Sequence, residues 1–387
     1  MNTTKLSLVA ALLIGSSAMA LENTKVTGDA NLYYQTEDTG TKSLLAQDSS
    51  KADISVNLNL TTDIIKTDSV TVSAGLGYTM LTTLGLEGQL VSGTWGNAHD
   101  STAVDTVSWI NEAWLATTLG NTTAKVGRME LDTPLAFTEK WTIEKNTFES
   151  AVLINTDISN TTLVGAYVGR GNGNGNGQGV VATGAEFTNY GGKGAYVVGA
   201  INNSLKPLTL QAWYYDIVAV AQASWLQADL SMNNIVAGAQ YTTLSLNDSS
   251  AAAAMVGYKT DIVSAQVSYS QVSTKGDTGY NTATSLASSG NSQTKLYTDA
   301  WWNYGQVTMA GAKTVHLTLE APTAVADLAL FVTSIDHVAA NTDLLEVTAT
   351  VTKSMGPIDA TLAYIYTDID NSTDASNIVQ VYLTANF

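Results

Sequence analysis

A two-residue alternation constrains this chain more than any other feature. From Ala52 to Thr62, Ile54, Val56, Leu58 and Leu60 interleave with Ser55, Asn57, Asn59 and Thr61, so a β-strand here has one apolar and one polar face. After Ile64-Ile65-Lys66-Thr67-Asp68 the pattern restarts with Val70, Val72, Ala74, Leu76 and Tyr78, which reads as the second strand of a hairpin. The same period returns over 25–36, 262–272, 344–353 and 358–367. Runs of about 9 to 11 residues suit a tilted strand crossing a bilayer. The polar face is mostly Ser, Thr, Asn, Gln and Gly, whereas a soluble sandwich commonly turns charge to water.

The N-terminus points to export. Lys5 precedes an apolar run from Leu6 to Ile14, and Ser16-Ser17-Ala18-Met19-Ala20 fits a small-residue cleavage site. Residues 1–20 are therefore expected to be a signal peptide and 21–387 a single mature domain. No later segment offers 18 consecutive apolar residues, so helical spans are excluded. The expected fold is all-β: a transmembrane antiparallel β-barrel of about 16–18 strands, at roughly 20 residues per strand and turn.

Connections differ in length as such a barrel requires. Met355-Gly356-Pro357 is compact, whereas 169–179 (GRGNGNGNGQG), 278–294 and 368–376 are long and polar. The Gly/Asn run reads as a flexible loop tip, because a phosphate cradle needs a strand, a helix and usually a Lys around it. Tyr33-Tyr34, Trp213-Tyr214-Tyr215, Trp301-Trp302 with Tyr304, and Tyr364 with Tyr366 lie near expected strand ends, where an interfacial aromatic girdle belongs.

Composition removes several function classes. With 17 Lys+Arg against 34 Asp+Glu the net charge is −17, which disfavours nucleic acid and would enrich cations at a channel mouth. Zero cysteines exclude disulfides, thiolate metal sites and cysteine nucleophiles. His99, His316 and His337 have no paired spacing and no G-x-S-x-G marks a serine, so no enzyme is expected.

The last ten residues, IVQVYLTANF, place Val379, Val381, Leu383, Ala385 and Phe387 on one face. They resemble the C-terminal strand by which Gram-negative barrels are recognised during assembly, with Phe387 as the assembly signal. The stretch 110–169, INEAWLATTLGNTTAKVGRMELDTPLAFTEKWTIEKNTFESAVLINTDISNTTLVGAYVG, resembles the major porins of epsilonproteobacteria, the group of the Campylobacter major outer membrane porin, and more distantly OprD-type porins. The resemblance implies an 18-stranded, homotrimeric general-diffusion porin of the outer membrane, set among lipopolysaccharide and passing small hydrophilic solutes and ions. It also implies an inward loop at about Pro134 to Ser150, after a strand ending Lys125-Val126-Gly127-Arg128-Met129-Glu130-Leu131-Asp132-Thr133-Pro134. OprD-type channels resemble one another in an arginine-lined pore; this chain departs from them with only Arg128 and Arg170, so nonspecific, cation-leaning diffusion is expected.

Lys125, Arg128, Glu130, Asp132, Glu139, Lys140, Glu144 and Lys145, with Glu149 beyond them, crowd one segment of a chain that is 13% charged. Facing one another across a lumen they would impose a transverse field and form the pore constriction; paired among themselves they would pin the loop to the wall. Glu130 and Asp132 are also candidate ligands for a structural calcium ion, which the resemblance raises; no other cofactor is expected. Asp368, Asp370 and Asp374 lack the Gly and terminal Glu of an EF-hand and read as a solvated loop. Two alternatives remain open from the residues: a surface adhesin or structural protein anchored by a barrel with a plugged lumen, and a soluble secreted β-protein.

Overall fold

The structure is a computed structural model that describes residues 22–387 except 39, 83–85, 87–90, 92–105, 141–142, 174–186, 285–291, 338–341, 371 and 373. The expected signal segment 1–20, His99 and most of the Gly/Asn run lie outside the described residues.

Eighteen antiparallel strands close into one barrel. They are β1 (Glu22–Asp38), β2 (Ser50–Lys66), β3 (Val70–Thr82), β4 (Thr106–Leu119), β5 (Thr122–Met129), β6 (Phe148–Asn155), β7 (Thr161–Gly171), β8 (Ala195–Asn202) and β9 (Leu208–Ile217). The second half comprises β10 (Ala221–Met232), β11 (Ile235–Leu244), β12 (Ser249–Lys259), β13 (Ser264–Val272), β14 (Ala312–Pro322), β15 (Asp327–His337), β16 (Thr342–Met355), β17 (Ile358–Ile369) and β18 (Ser376–Asn386). A further two-residue strand, Thr188–Asn189, pairs with β7. Each strand pairs with its chain neighbours, and β18 returns to β1 in the register Ala30↔Ala385 and Tyr34↔Val381. Closure leaves no sheet edge, the condition for burying backbone in hydrocarbon.

The two ends of the barrel are unequal. Turns such as 67–69, 233–234 and 356–357 close the end that holds both termini, while long connections such as 83–105, 172–194 and 273–311 leave the opposite end. By the usual asymmetry of these barrels the first end is periplasmic and the second external.

Alternation sorts the faces as the sequence implied. On β2, Asp53, Ser55 and Asn57 are buried inside, and Ile54, Val56, Leu58 and Leu60 share the outer face. Outer positions elsewhere carry exposed Leu115, Val126, Leu153, Val198, Leu226, Val256, Val315, Val351 and Leu362, an apolar belt that on a closed barrel faces lipid. The aromatic girdle needs correcting. Tyr167, Tyr196, Tyr214, Tyr241, Tyr269 and Tyr364 face outward in the external halves of their strands, but Tyr33, Trp213 and Tyr215 are buried inside and Trp301, Trp302 and Tyr304 belong to a loop in the lumen. Proximity to a strand end does not fix the face of a residue; its parity does.

The terminal residue sits on the closing seam. Gly28 and Phe387 exchange backbone hydrogen bonds of 2.7 and 2.9 Å. A Cβ at position 28 would lie 2.4 Å from Phe387 Cε2 and 2.6 Å from the Asn57 carbonyl oxygen, so the ring needs a glycine beneath it. Gly28→Val is expected to lower the folded fraction several-fold, read as loss of the fast-migrating band of unheated protein on a denaturing gel; a folded yield equal to wild type would contradict this role.

Candidate functional site

Two loops leave the wall and meet in the lumen. The first, residues 130–147 between β5 and β6, folds over a small hairpin in which Asp132–Thr133 pairs with Ala136–Phe137. Pro134 therefore occupies the hairpin turn, while the preceding barrel strand already ends at Met129. The loop reaches opposite walls: the Leu135 amide donates to Tyr215 Oη on β9 at 3.2 Å, and Asn57 Nδ2 on β2 donates to Glu144 Oε1 at 3.0 Å.

The second loop lies between β13 and β14, and its described residues, 273–284 and 292–311, fold inward rather than outward as the length of 278–294 suggested. Tyr297 Oη donates to Asp229 Oδ1 on β10 at 2.5 Å, in space left by Gly238, where a Cβ would meet that hydroxyl at 2.3 Å. On the other side Glu346, buried on β16, accepts the backbone amides of Trp301 at 2.9 Å and Asn303 at 2.7 Å and the Asn303 side-chain amide at 2.9 Å. Trp302 donates to the same carboxylate at 3.2 Å. Charge-assisted bonds of this kind contribute about 1.5–3 kcal/mol each, so Glu346 is the principal clasp of this loop.

Glu139 joins the two loops. It is fully buried and accepts from Asn281 Nδ2 at 2.8 Å, Thr284 Oγ1 at 2.9 Å and the Gln293 amide at 3.2 Å. Thr282 Oγ1 donates to the Leu135 carbonyl at 2.7 Å, and Lys295 pairs with Asp132 at 2.7 Å. The result is a single partition fixed to β2, β9, β10 and β16. Between it and the inner faces of β14–β18 lies a chamber of about 510 Å³, with Lys140, Trp301, His316, Phe331 and Tyr382 in its lining.

The expected site residues separate into four groups. Lys125 lies on the inner face with its ammonium 4.0 Å from the Trp114 ring. Glu130 pairs with Lys145, and Asp132 with Lys295, so both carboxylates are held by ammonium groups turned to them. Glu139 and Glu144 are buried as loop anchors, and Lys140 is exposed on the chamber. Arg128 departs from the set. It stands opposite outward Ala113 and shares the outer face with Val126, so it lies outside the lumen, as does Arg170. The strand Lys125-Val126-Gly127-Arg128 alternates, so its parity in the sequence already carried that signal. Asn281, Tyr297, Asp299 and Glu346 had no such signal, because their roles arise only from the folded loop.

Among the described residues, no three His, Cys, Asp or Glu side chains converge as a metal site. Glu130 and Asp132, each engaged by a different lysine, do not fit a calcium ion, which takes about six to eight oxygens. His316 is bonded to Thr333 and Thr318, and His337 to the Gln306 carbonyl, so the two histidines serve separate structural contacts.

A closed, even-stranded antiparallel barrel with an apolar belt, short turns at one end and a loop-narrowed lumen has the architecture of an outer-membrane β-barrel. Solved structures of that class superpose on nearly the whole chain. Pseudomonas aeruginosa OccK9 (OpdG) aligns at 13% identity with a TM-score of 0.75, covering 95% of this chain and 98% of that one. Acinetobacter baumannii OccAB1 aligns at 14% identity and TM-score 0.76, over 95% and 97%. Pseudomonas aeruginosa OpdK, solved with vanillate, aligns at 12% identity and TM-score 0.75, over 95% and 99%. No family model and no curated protein matches the sequence. At these identities the likeness is one of fold, and it supports the OprD-type part of the resemblance at that level.

Burial, with the Glu139 carboxylate as the next cause, pushes the Asp299 carboxyl well above the usual carboxylate range. Burial raises Glu144 in the same direction against its bonds to Ser55 and Asn57. Each acid holds in the folded state a proton that the unfolded chain releases near pH 4. Their contribution to stability is therefore fullest below the unfolded pKa, declines as pH rises toward the folded pKa, and is flat above it. Asp299→Asn, which keeps the neutral hydrogen-bonding group, is expected to raise the urea midpoint at pH 7 and leave it unchanged at pH 3. Equal midpoints for variant and wild type at pH 7 would contradict this sign.

Proposed function

We propose that this chain is a passive general-diffusion porin, akin to the major porins of epsilonproteobacteria, that passes small hydrophilic solutes and favours cations. The observation that carries this reading is the polar chamber between the docked loops and the wall, onto which neither arginine of the chain faces. An arginine row for holding carboxylate solutes is thus missing from the path. The chain carries twice as many carboxylates as cationic side chains, and on the inner wall and loops Asp29, Asp229 and Glu346 stand beside Lys125 and Lys140. That excess lowers the energy of a cation in the narrow section.

Transport of this kind needs no cofactor and no catalytic group. The anchored-adhesin alternative is not favoured, because its barrel need not keep a polar chamber along the wall. Homotrimeric assembly belongs to the same proposal. On the outer wall an apolar depression floored by Ala200, Ala212, Ala228 and Ala239 is the surface on which we place the contact between copies.

Folded protein in a planar bilayer under a salt gradient tests the reading. Ohmic steps grouped in threes and a cation-selective reversal potential are expected. Lys140→Glu should increase that selectivity, whereas Arg128→Gln should leave it unchanged. Silence from inserted protein, or an anion-selective potential, would refute it.

A further inference from the structure

Permeation makes no use of one charged cluster on the outer wall. Arg128 Nη2 donates to Glu149 Oε1 at 2.8 Å, and Arg170 donates from Nε and Nη2 to Glu149 Oε2. The Phe187 ring covers the Arg128 guanidinium at 3.7 Å. Two cations share one carboxylate, so the cluster is positive on a chain whose net charge is −17. Arg170 is half exposed, and among the described residues its remaining N–H donors take no partner.

Position gives this charge its meaning. The three residues lie near the end of β5, the start of β6 and the end of β7, all on the external side and in register with one another across the strands. Just below them the outward rings of Tyr167 and Tyr196 pack at 5.1 Å, part of the tyrosine girdle that marks the headgroup level. An arginine on a barrel's lipid face costs about 2–4 kcal/mol at mid-bilayer but about 0–1 near the interface, so this is where two of them are tolerated. A depression of about 530 Å³ adjoins the cluster, bounded by Arg128 and Glu149 and by outward Ile110, Ala113, Val126 and Tyr167.

We propose that Arg128 and Arg170 bind a phosphate of the outer leaflet's acylated glycolipid, with an acyl chain in the apolar depression beneath. Guanidinium groups suit phosphate through paired N–H donors, and the adjoining groove accepts hydrocarbon, so the site matches an amphipathic anion. Glu149 orients both guanidiniums and tempers their charge. The inference rests on the outer-membrane placement and not on ion passage, so a silent pore would leave it standing.

Binding of lipopolysaccharide to the folded full-length protein in neutral detergent tests it, with phosphatase-treated lipopolysaccharide and inorganic phosphate as the other probes. Arg170→Gln is expected to weaken lipopolysaccharide binding roughly tenfold, as is removal of the phosphates, with single-channel conductance unchanged. Glu149→Gln, which removes the competing charge but keeps a hydrogen-bonding group, is expected to tighten binding several-fold; a merely structural triad would lose affinity instead. Unchanged binding in Arg170→Gln, or equal binding of the dephosphorylated lipid, would overturn the proposal. So would inorganic phosphate competing at equal affinity, which marks a free-anion site, or an altered oligomeric state with lipid binding intact, which marks a contact between copies.

Discussion

Hydrocarbon offers no partner to a peptide group, and an unpaired one there costs several kcal/mol. Every strand of this chain must therefore find a neighbour on both sides, and the seam between β1 and β18 is where that requirement is met last along the sequence. The Gly28–Phe387 contact lies at the periplasmic end of the seam, with the terminal ring seated where only a glycine leaves room. Period-two patterning follows from the same constraint, because a closed wall has lipid on one side and water on the other.

Closure creates an interior too wide for wall side chains to fill, and the two inward loops divide it. Their polar backbone is tolerable inside the barrel because buried carboxylates and amides take up its hydrogen bonds: Glu346 on the amides of 301–303, Glu139 between the loops, and Asn281 on the Phe137 backbone. Buried charge of this sort is costly unless fully bonded. The lysine and carboxylate groups left on the chamber side set its electrostatics, while both arginines are turned to the membrane surface.

Alternation made the wall legible. Ile54 to Leu60 and Val379 to Phe387 face the way their spacing implies, and the strand count falls at the upper end of the expected range. Inward and outward aromatics were merged because Tyr214 and Tyr215 are neighbours in sequence but stand on opposite faces. Arg128 was placed with Lys125 in the lumen for its charge, although three residues along a strand reverse the face. The course of 273–311 was not legible at all. A polar loop has no period, and what draws it inward is a set of partners on β10, β16 and the other loop, distant in sequence.

The central claim is that solutes pass through the chamber beside Lys140, between the docked loops and β14–β18. Because the chain has no cysteine, Lys140→Cys places a single thiol there. Conductance of that variant should fall in discrete steps when a bulky, water-soluble thiol reagent is added. Unchanged conductance at a thiol shown by mass to be fully modified would contradict the account and put the path elsewhere in the lumen.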